Sequence, residues 1–351
     1  MFFKRMTATV AATLLAASLS GTALAQNFEI TGAGATFPAP IYTAWASAFR
    51  AATGNTVNYQ AVGSGAGITQ AQNRTVDFGA SDAPLPAQRL QQQRLFQFPA
   101  VIGAVVPIIN LEGVAKNQLR LTGPMLADIY RGVIRMWNDP QIVAINPGVN
   151  LPNTAIQPIY RSDGSGTTFV FTSYLSEVSP EWKANVGAQT SVQWPTGAGA
   201  RGNDGVAGAV RNTRGSIGYV EYAFAAENNL STTQLSTRTG AFVESNIANF
   251  QAAATAADWE TATDLAASML NMPGPNSWPI VSPTYILLPR DARDPVRSRN
   301  VLQFFTWAYT EPGDRLATGL HYIPLPQPVV ERVKAAWRTL RDAQNQPLFA
   351  N

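Results

Sequence analysis

IQPIYRSDGSGTTFVFTSYL, residues 156–175, sets the reading of the whole chain. IQPIYRS reads as a strand and TTFVFTSYL as the helix after it, with RSDGSGTT between them. That loop sets one cation, one carboxylate and a run of glycine and hydroxyl residues at the opening of a helix. Either it is an ordinary turn, or it is built to hold something anionic. The first N–H groups of a helix have no internal partner, and the helix dipole adds partial positive charge there. A strand–glycine loop–helix unit is also the repeating unit of parallel α/β sheets.

The same order of signals recurs on both sides of this stretch. FEITGAG (28–34) predicts a strand running into a glycine turn, after which Pro38 suits the first turn of a helix. Ile41, Trp45 and Phe49 then recur at a spacing of four, a buried helical face that Gly54 closes. VNYQAVG and TVDFGAS predict further strands, with a polar helix between them running to Arg74. LTGPMLADIYRGVIRMW (121–137) predicts a helix, as do GNDGVAGAVRN and the closing VRSRNVLQFFTWAY and VVERVKAAWRTLRD; GSIGYVEY predicts a strand. FPAVIGAVVPIIN (98–110) and WPIVSPTYILLP (278–289) are apolar β-type runs, the first longer than one ordinary strand, that suit a chain passing between two domains and back. The alternation implies a largely parallel sheet in each domain with helices on both faces. In such sheets ligands sit beyond the carboxyl ends of the strands, at helix N-termini.

Four loops occupy that position: GAGATFP (32–38), VGSGAG (62–67), GASDAP (79–84) and RSDGSGTT. Any one of them is consistent with tight geometry alone. Together they offer free N–H groups, the hydroxyls of Thr36, Ser64, Ser165 and Thr167, and one full positive charge on Arg161. That combination suits a compact tetrahedral oxyanion. GAGATFP is no dinucleotide fingerprint, because Phe37 stands where the third glycine belongs. Asp82 reads either as a helix N-cap before Pro84 or as a filter on the anion. An ionised carboxylate only accepts hydrogen bonds, so it tolerates an oxyanion that keeps a proton, as phosphate does, and repels one with none, such as sulfate. Asp163 is either a turn former before Gly164 or the partner that holds the Arg161 guanidinium; the two are compatible.

The chain has 351 residues, 46% hydrophobic and 13% charged, enough for two domain cores. Residues 1–25 read as a secretory signal, with Lys4 and Arg5 ahead of an apolar stretch and Ala23-Leu24-Ala25 as the cleavage pattern. The expected mature chain begins at Gln26, is exported to the periplasm and, having no cysteine, carries neither a lipid anchor of the cysteine type nor a disulfide. Loss of Lys4 and Arg5 lowers the formal charge from +3 to +1. This balance argues against nucleic acid. The arginines at 290, 293, 297 and 299 read as a solvated approach to a helix.

At these loops the chain closely resembles the periplasmic phosphate-binding proteins of phosphate ABC transporters. The resemblance runs through TGAGATFPAPIY, VNYQ, VDFGASDAPL, LFQFP, IGAVV, DGSGTTFVFTSYL, GNDG, IGYVEYA and VVERVKAAW, in order and over nearly the whole mature chain. It implies a type II periplasmic-binding-protein fold, α/β in class, with two α/β lobes joined by crossover strands and the ligand in the cleft. The implied lobes are 26–101 with 279–351, and 102–278. The implied phosphate contacts are Thr36, Phe37, Ser64 and Asp82 from one lobe and Arg161, Ser165, Gly166 and Thr167 from the other, with Asp163 bracing the arginine. Where the family reads G-S-S-G-G this chain has Gly63-Ser64-Gly65-Ala66-Gly67, which leaves the contacting serine and changes its surroundings. The implied partners are inorganic phosphate and the permease and ATPase subunits of the transporter. The protein itself is expected to be a monomer with no cofactor.

Enzyme classes find little purchase. There is no Gly-Lys pair for a nucleotide P-loop, and Asp163 and Val62 stand where a G-x-S-x-G elbow around Ser165 or Ser64 needs its first glycine. The single histidine, His321, lies in no motif and reads as a partly buried structural residue. A binder of another oxyanion on the same fold remains an alternative, which Asp82 disfavours for fully deprotonated ligands.

Overall fold

The structure is a computed structural model in which residues 27–291 and 294–349 are described; the predicted signal segment lies outside them. β1 (Glu29–Gly34) runs into α1 (Ala39–Thr53), which buries Ile41, Tyr42, Trp45 and Phe49 along one stripe. The helix stops at Gly54, whose φ of 78° is left-handed and closes the last turn. β2 (Thr56–Ala61), α2 (Ser64–Asn73) and β3 (Phe78–Ser81) follow, and β1 pairs in parallel with both β2 and β3. The apolar run then forms one long strand, β4 (Leu95–Asn110), buried along nearly its whole length.

A second parallel group is made by β5 (Gln157–Arg161), β6 (Ala198–Ala200) and β7 (Ser216–Glu221), with β5 between the other two. α3 (Gly166–Val178) follows β5, and α4 (Gly202–Asn212) lies between β6 and β7. The chain returns along β8 (Ile280–Pro289), every residue of which is buried. The sheet order is β2-β1-β3-β8-β4-β7-β5-β6. The parallel expectation therefore holds within each flanking group. It fails in the middle, where β8 is antiparallel to both β3 and β4, and β4 to β7. The cause is connectivity: β4 and β8 carry the chain out and back, so they run in opposite senses. Their ladder shifts register between Thr284 and Tyr285, and Trp278 Nε1 donates to the Val105 carbonyl at 2.9 Å where the pair ends.

Two local expectations need correction. The helix predicted over 121–137 ends at Arg131, because Gly132 takes a left-handed φ of 74° and breaks it. His321 is exposed, its ring edge-on to Tyr222 at 5.4 Å. The arginines at 290 and 297 are exposed at the approach to the helix Pro295–Ala308, as expected, and each has a partner: Arg297 pairs with Asp77 at 2.5 Å, and Arg290 lies over the Phe96 ring at 5.1 Å and donates to the Leu95 carbonyl. Arg293 lies outside the described residues. Among the described residues no helix is long and apolar enough to cross a membrane.

Candidate functional site

The four loops meet. Thr36 and Phe37 lie between β1 and α1, Ser64 opens α2 and Asp82 follows β3. Arg161 ends β5, and Ser165, Gly166 and Thr167 form the start of α3. All stand at the carboxyl ends of parallel strands and are drawn well below the surface: Thr36 is 6% exposed, Arg161 3%, Asp82 1%, and Ser64, Ser165 and Thr167 are fully buried. Burying an arginine and a carboxylate together is costly unless each is engaged.

Arg161 is engaged on one edge. Its Nε donates to Asp163 Oδ1 at 2.7 Å and its Nη2 to Oδ2 at 2.5 Å, the two-toothed pairing a guanidinium favours. Nη1 points instead toward Thr167 Oγ1, 3.3 Å away. The backbone N–H of Gly202 adds a further bond to Asp163 Oδ1 at 3.1 Å. Burial raises the proton affinity of the Asp163 carboxyl, but the Arg161 hydrogen bonds and charge outweigh it and hold the group below the ordinary carboxylate range. The loop itself is pinned by Tyr219 on β7, whose hydroxyl accepts the Arg161 N–H at 3.2 Å and bonds the Thr168 hydroxyl at 2.7 Å. Ser165 caps α3 by accepting from the Thr168 N–H at 3.0 Å. Its own N–H goes to the Thr190 carbonyl, so what Ser165 has left to donate is its hydroxyl hydrogen.

The two parallel groups touch across these loops. Ser64 Oγ accepts from the Gly166 N–H at 3.0 Å and the Asp82 N–H at 3.2 Å, and Gly65 N–H donates to the Gly164 carbonyl at 2.9 Å. The altered second loop is thus seated against RSDGSGTT through its backbone. Gly63 is required there: its φ is 97°, and a Cβ would lie 2.7 Å from Asp163 Oδ2. Gly166 approaches closer still. A Cβ on it would sit 2.4 Å from both Asp82 Oδ2 and Ser64 Oγ.

Asp82 is no helix cap. The next helix, Ala87–Gln92, begins beyond it after Pro86. Its Oδ1 accepts from Thr284 Oγ1 at 2.7 Å, across from β8, while Oδ2 is buried without a hydrogen-bond partner. Burial pushes this carboxyl up to about 7, against the Thr284 hydrogen bond and the Arg161 charge, which both favour ionisation. The linkage has a definite sign. Between the unfolded value of 3.8 and about 7 the folded chain keeps a proton that the unfolded chain has released, so stability falls as pH rises through that window and levels off above it. Replacing Asp82 with asparagine is expected to remove this slope. Between pH 5 and 8 the parent should lose about 2–3 kcal/mol relative to the variant, read by urea unfolding without ligand. Parallel pH dependences would overturn the assignment.

Reading the sequence missed two buried contributors. Thr284, on β8, anchors Asp82. Asn203, the second residue of α4, donates from Nδ2 to Thr36 Oγ1 at 2.8 Å and to Thr167 Oγ1 at 3.3 Å, so it touches both groups of loops. Among the described residues there is no cluster of carboxylate and imidazole groups able to hold a metal. What the site offers chemically is a set of hydroxyl and amide donors, one guanidinium edge and one buried acceptor.

Comparison with known proteins agrees in fold and in sequence. Residues 10–312 match the family model described as a PBP superfamily domain. The Phosphate-binding protein PstS of Pasteurella multocida is 49% identical over 329 residues, covering 93% of this chain and 95% of that protein. The chain belongs to the PstS family. The PstS protein of Haemophilus influenzae is likewise 49% identical, covering 90% of this chain and 94% of its own length. A solved high-affinity periplasmic phosphate-binding protein, bound with phosphate, superposes with a TM-score of 0.72 over 91% of this chain and 96% of its own, at 24% identity. As a PstS-family member, the chain has the periplasmic-binding-protein fold that its motifs implied.

Proposed function

We propose that this protein binds inorganic phosphate between its two halves, without catalysis, and delivers it to an ABC-type permease. The observation that carries the reading is Asp82: a buried carboxyl with one free oxygen, set among donors that otherwise suit an anion. Phosphate, unlike sulfate, brings both negative charge for Arg161 and a proton for Asp82, and arsenate shares both properties. Thr36, Phe37, Ser64, Ser165, Gly166 and Thr167 supply the remaining donors, and Asp163 keeps the Arg161 fork aimed. The names of the curated relatives point the same way.

The lobes in this reading are 26–101 with 279–351, and 102–278, crossing along β4 and β8. A ligand gripped from both sides binds the closed arrangement better than an open one, and that difference shifts the population. The protein is exported, cleaved after Ala25 and acts as a periplasmic monomer. Its closed form docks on the permease whose ATPase subunits drive transport. Incubation with phosphomonoesters should show no turnover.

Calorimetric titration with phosphate, arsenate and sulfate tests the reading. Phosphate should bind and sulfate should not. In Asp82→Asn, which can donate as well as accept, sulfate affinity is expected to rise at least tenfold relative to phosphate. An unchanged ratio would mean that Asp82 does not select, and no heat with phosphate would end the phosphate reading altogether.

A further inference from the structure

We infer that Asn203 is the residue that turns the Thr36 and Thr167 hydroxyl hydrogens toward the bound anion, acting on both halves of the site at once. The inference rests on the phosphate-binding reading and adds to it a residue whose work is done through others.

The geometry fixes which way the Asn203 amide faces. Its Oδ1 accepts from the backbone N–H of Glu221 at 3.1 Å, and a backbone N–H can only donate. The atom opposite it must therefore be the oxygen, and the atom facing the threonines must be the NH2. Glu221 is the last residue of β7 and is paired with Val105 of β4, so the amide is held by main chain. Asn203 itself is fully buried and has no solvent to turn toward.

An NH2 group has two hydrogens and no lone pair to offer. Both threonine oxygens lie within its reach, so both must accept from it. A hydroxyl that accepts in this way still owns one hydrogen, and that hydrogen cannot point back at Asn203. Thr167 Oγ1 also receives Arg161 Nη1, which leaves it only a donor's role toward anything else. The consequence is electrostatic. Free hydroxyls rotate and offer an anion a lone pair as readily as a hydrogen; Thr167, with both lone pairs taken, is set in advance as a donor, and Thr36, with one lone pair taken by Asn203, is biased the same way. Positioning done before binding need not be done during it. The contact to Thr36 comes from the first parallel group and that to Thr167 from the second, so the same amide also registers the two against each other.

A merely structural asparagine would weaken binding by the same factor whatever stands at position 36, and this is what a double-mutant cycle measures. Phosphate affinity would be measured by calorimetry for the parent, Asn203→Ala, Thr36→Val and the double variant. Asn203→Ala is expected to weaken phosphate about 30-fold in the parent background and about threefold or less in the Thr36→Val background. Equal factors in the two backgrounds would overturn the inference. Asn203→Asp keeps the shape and covers the case in which alanine disturbs folding. Its carboxylate accepts where the amide donated, turning both hydroxyls away from the ligand, and phosphate should weaken 100-fold or more. A folded Asn203→Asp protein that binds phosphate like the parent would also refute the role. Failure of the parent itself to bind phosphate would refute the underlying reading instead, so the two failures are distinct.

Discussion

Replacing Arg161 with alanine is expected to weaken phosphate binding by about 3–5 kcal/mol, or two to nearly four decades in Kd. The Arg161 side chain is 1% exposed and that of its Asp163 partner 13%, so solvent does little to screen either. Alanine removes the only full positive charge among the loop residues and leaves the Asp163 carboxylate half-buried beside an incoming anion. Loss of attraction and gain of repulsion then act together. Arg161→Lys restores the charge but not the fork, since an ammonium cannot hold Asp163 with one edge and reach the ligand with the other. Its affinity should fall between those of the parent and the alanine variant. A loss below about 1 kcal/mol for Arg161→Ala, the scale of an exposed pair, would remove this residue from the site.

The second large effect comes from the smallest change. Gly166→Ala is expected to weaken phosphate binding about 100-fold, which is about 2.7 kcal/mol. The backbone at Gly166 is ordinary first-turn helix, where alanine is welcome, so the helix itself carries no strain from the change. The obstacle is the position of its neighbours. The added Cβ would lie 2.4 Å from Asp82 Oδ2 and Ser64 Oγ and 2.6 Å from Asp82 Cβ, all on the facing half. Carboxylate and hydroxyl cannot both retreat without giving up Thr284 and the Gly166 N–H. Unchanged affinity in a normally folded variant would show that the halves do not need this approach.

What the sequence disclosed and what it hid follow one physical division. Strand, glycine loop and helix are local patterns, so the four loops and their order could be read directly, and the quoted stretch predicts β5, the turn and α3 almost to the residue. Arg161 and Asp163 are two positions apart, close enough for their pairing to be proposed from spacing alone. Asn203 is different. It sits in a glycine-rich run that reads as nothing more than the start of α4, and its partner Thr36 is 167 positions away. Thr284 stands 202 positions from Asp82, inside an apolar strand where a threonine is unremarkable by composition. Contacts of that range are made by the sheet order, and the antiparallel centre that produces it has no local signature. The Asp82 cap alternative failed for a simpler reason: Pro84 and Pro86 delay the next helix to Ala87, beyond the reach of its side chain.

The paired crossing strands carry one last implication. β4 and β8 are hydrogen-bonded from Leu95 and Pro289 through to Ala104 and Val281, buried throughout, and interrupted only by the shift beside Thr284. Two bodies on slack tethers would have to find one another afresh at each capture and would surrender much orientational freedom in doing so. In the proposed closure a ribbon of this kind would leave little more than a bend to be made, so most of that freedom would already be gone once the chain has folded, and the grip on a small ion would be correspondingly less diluted by disorder.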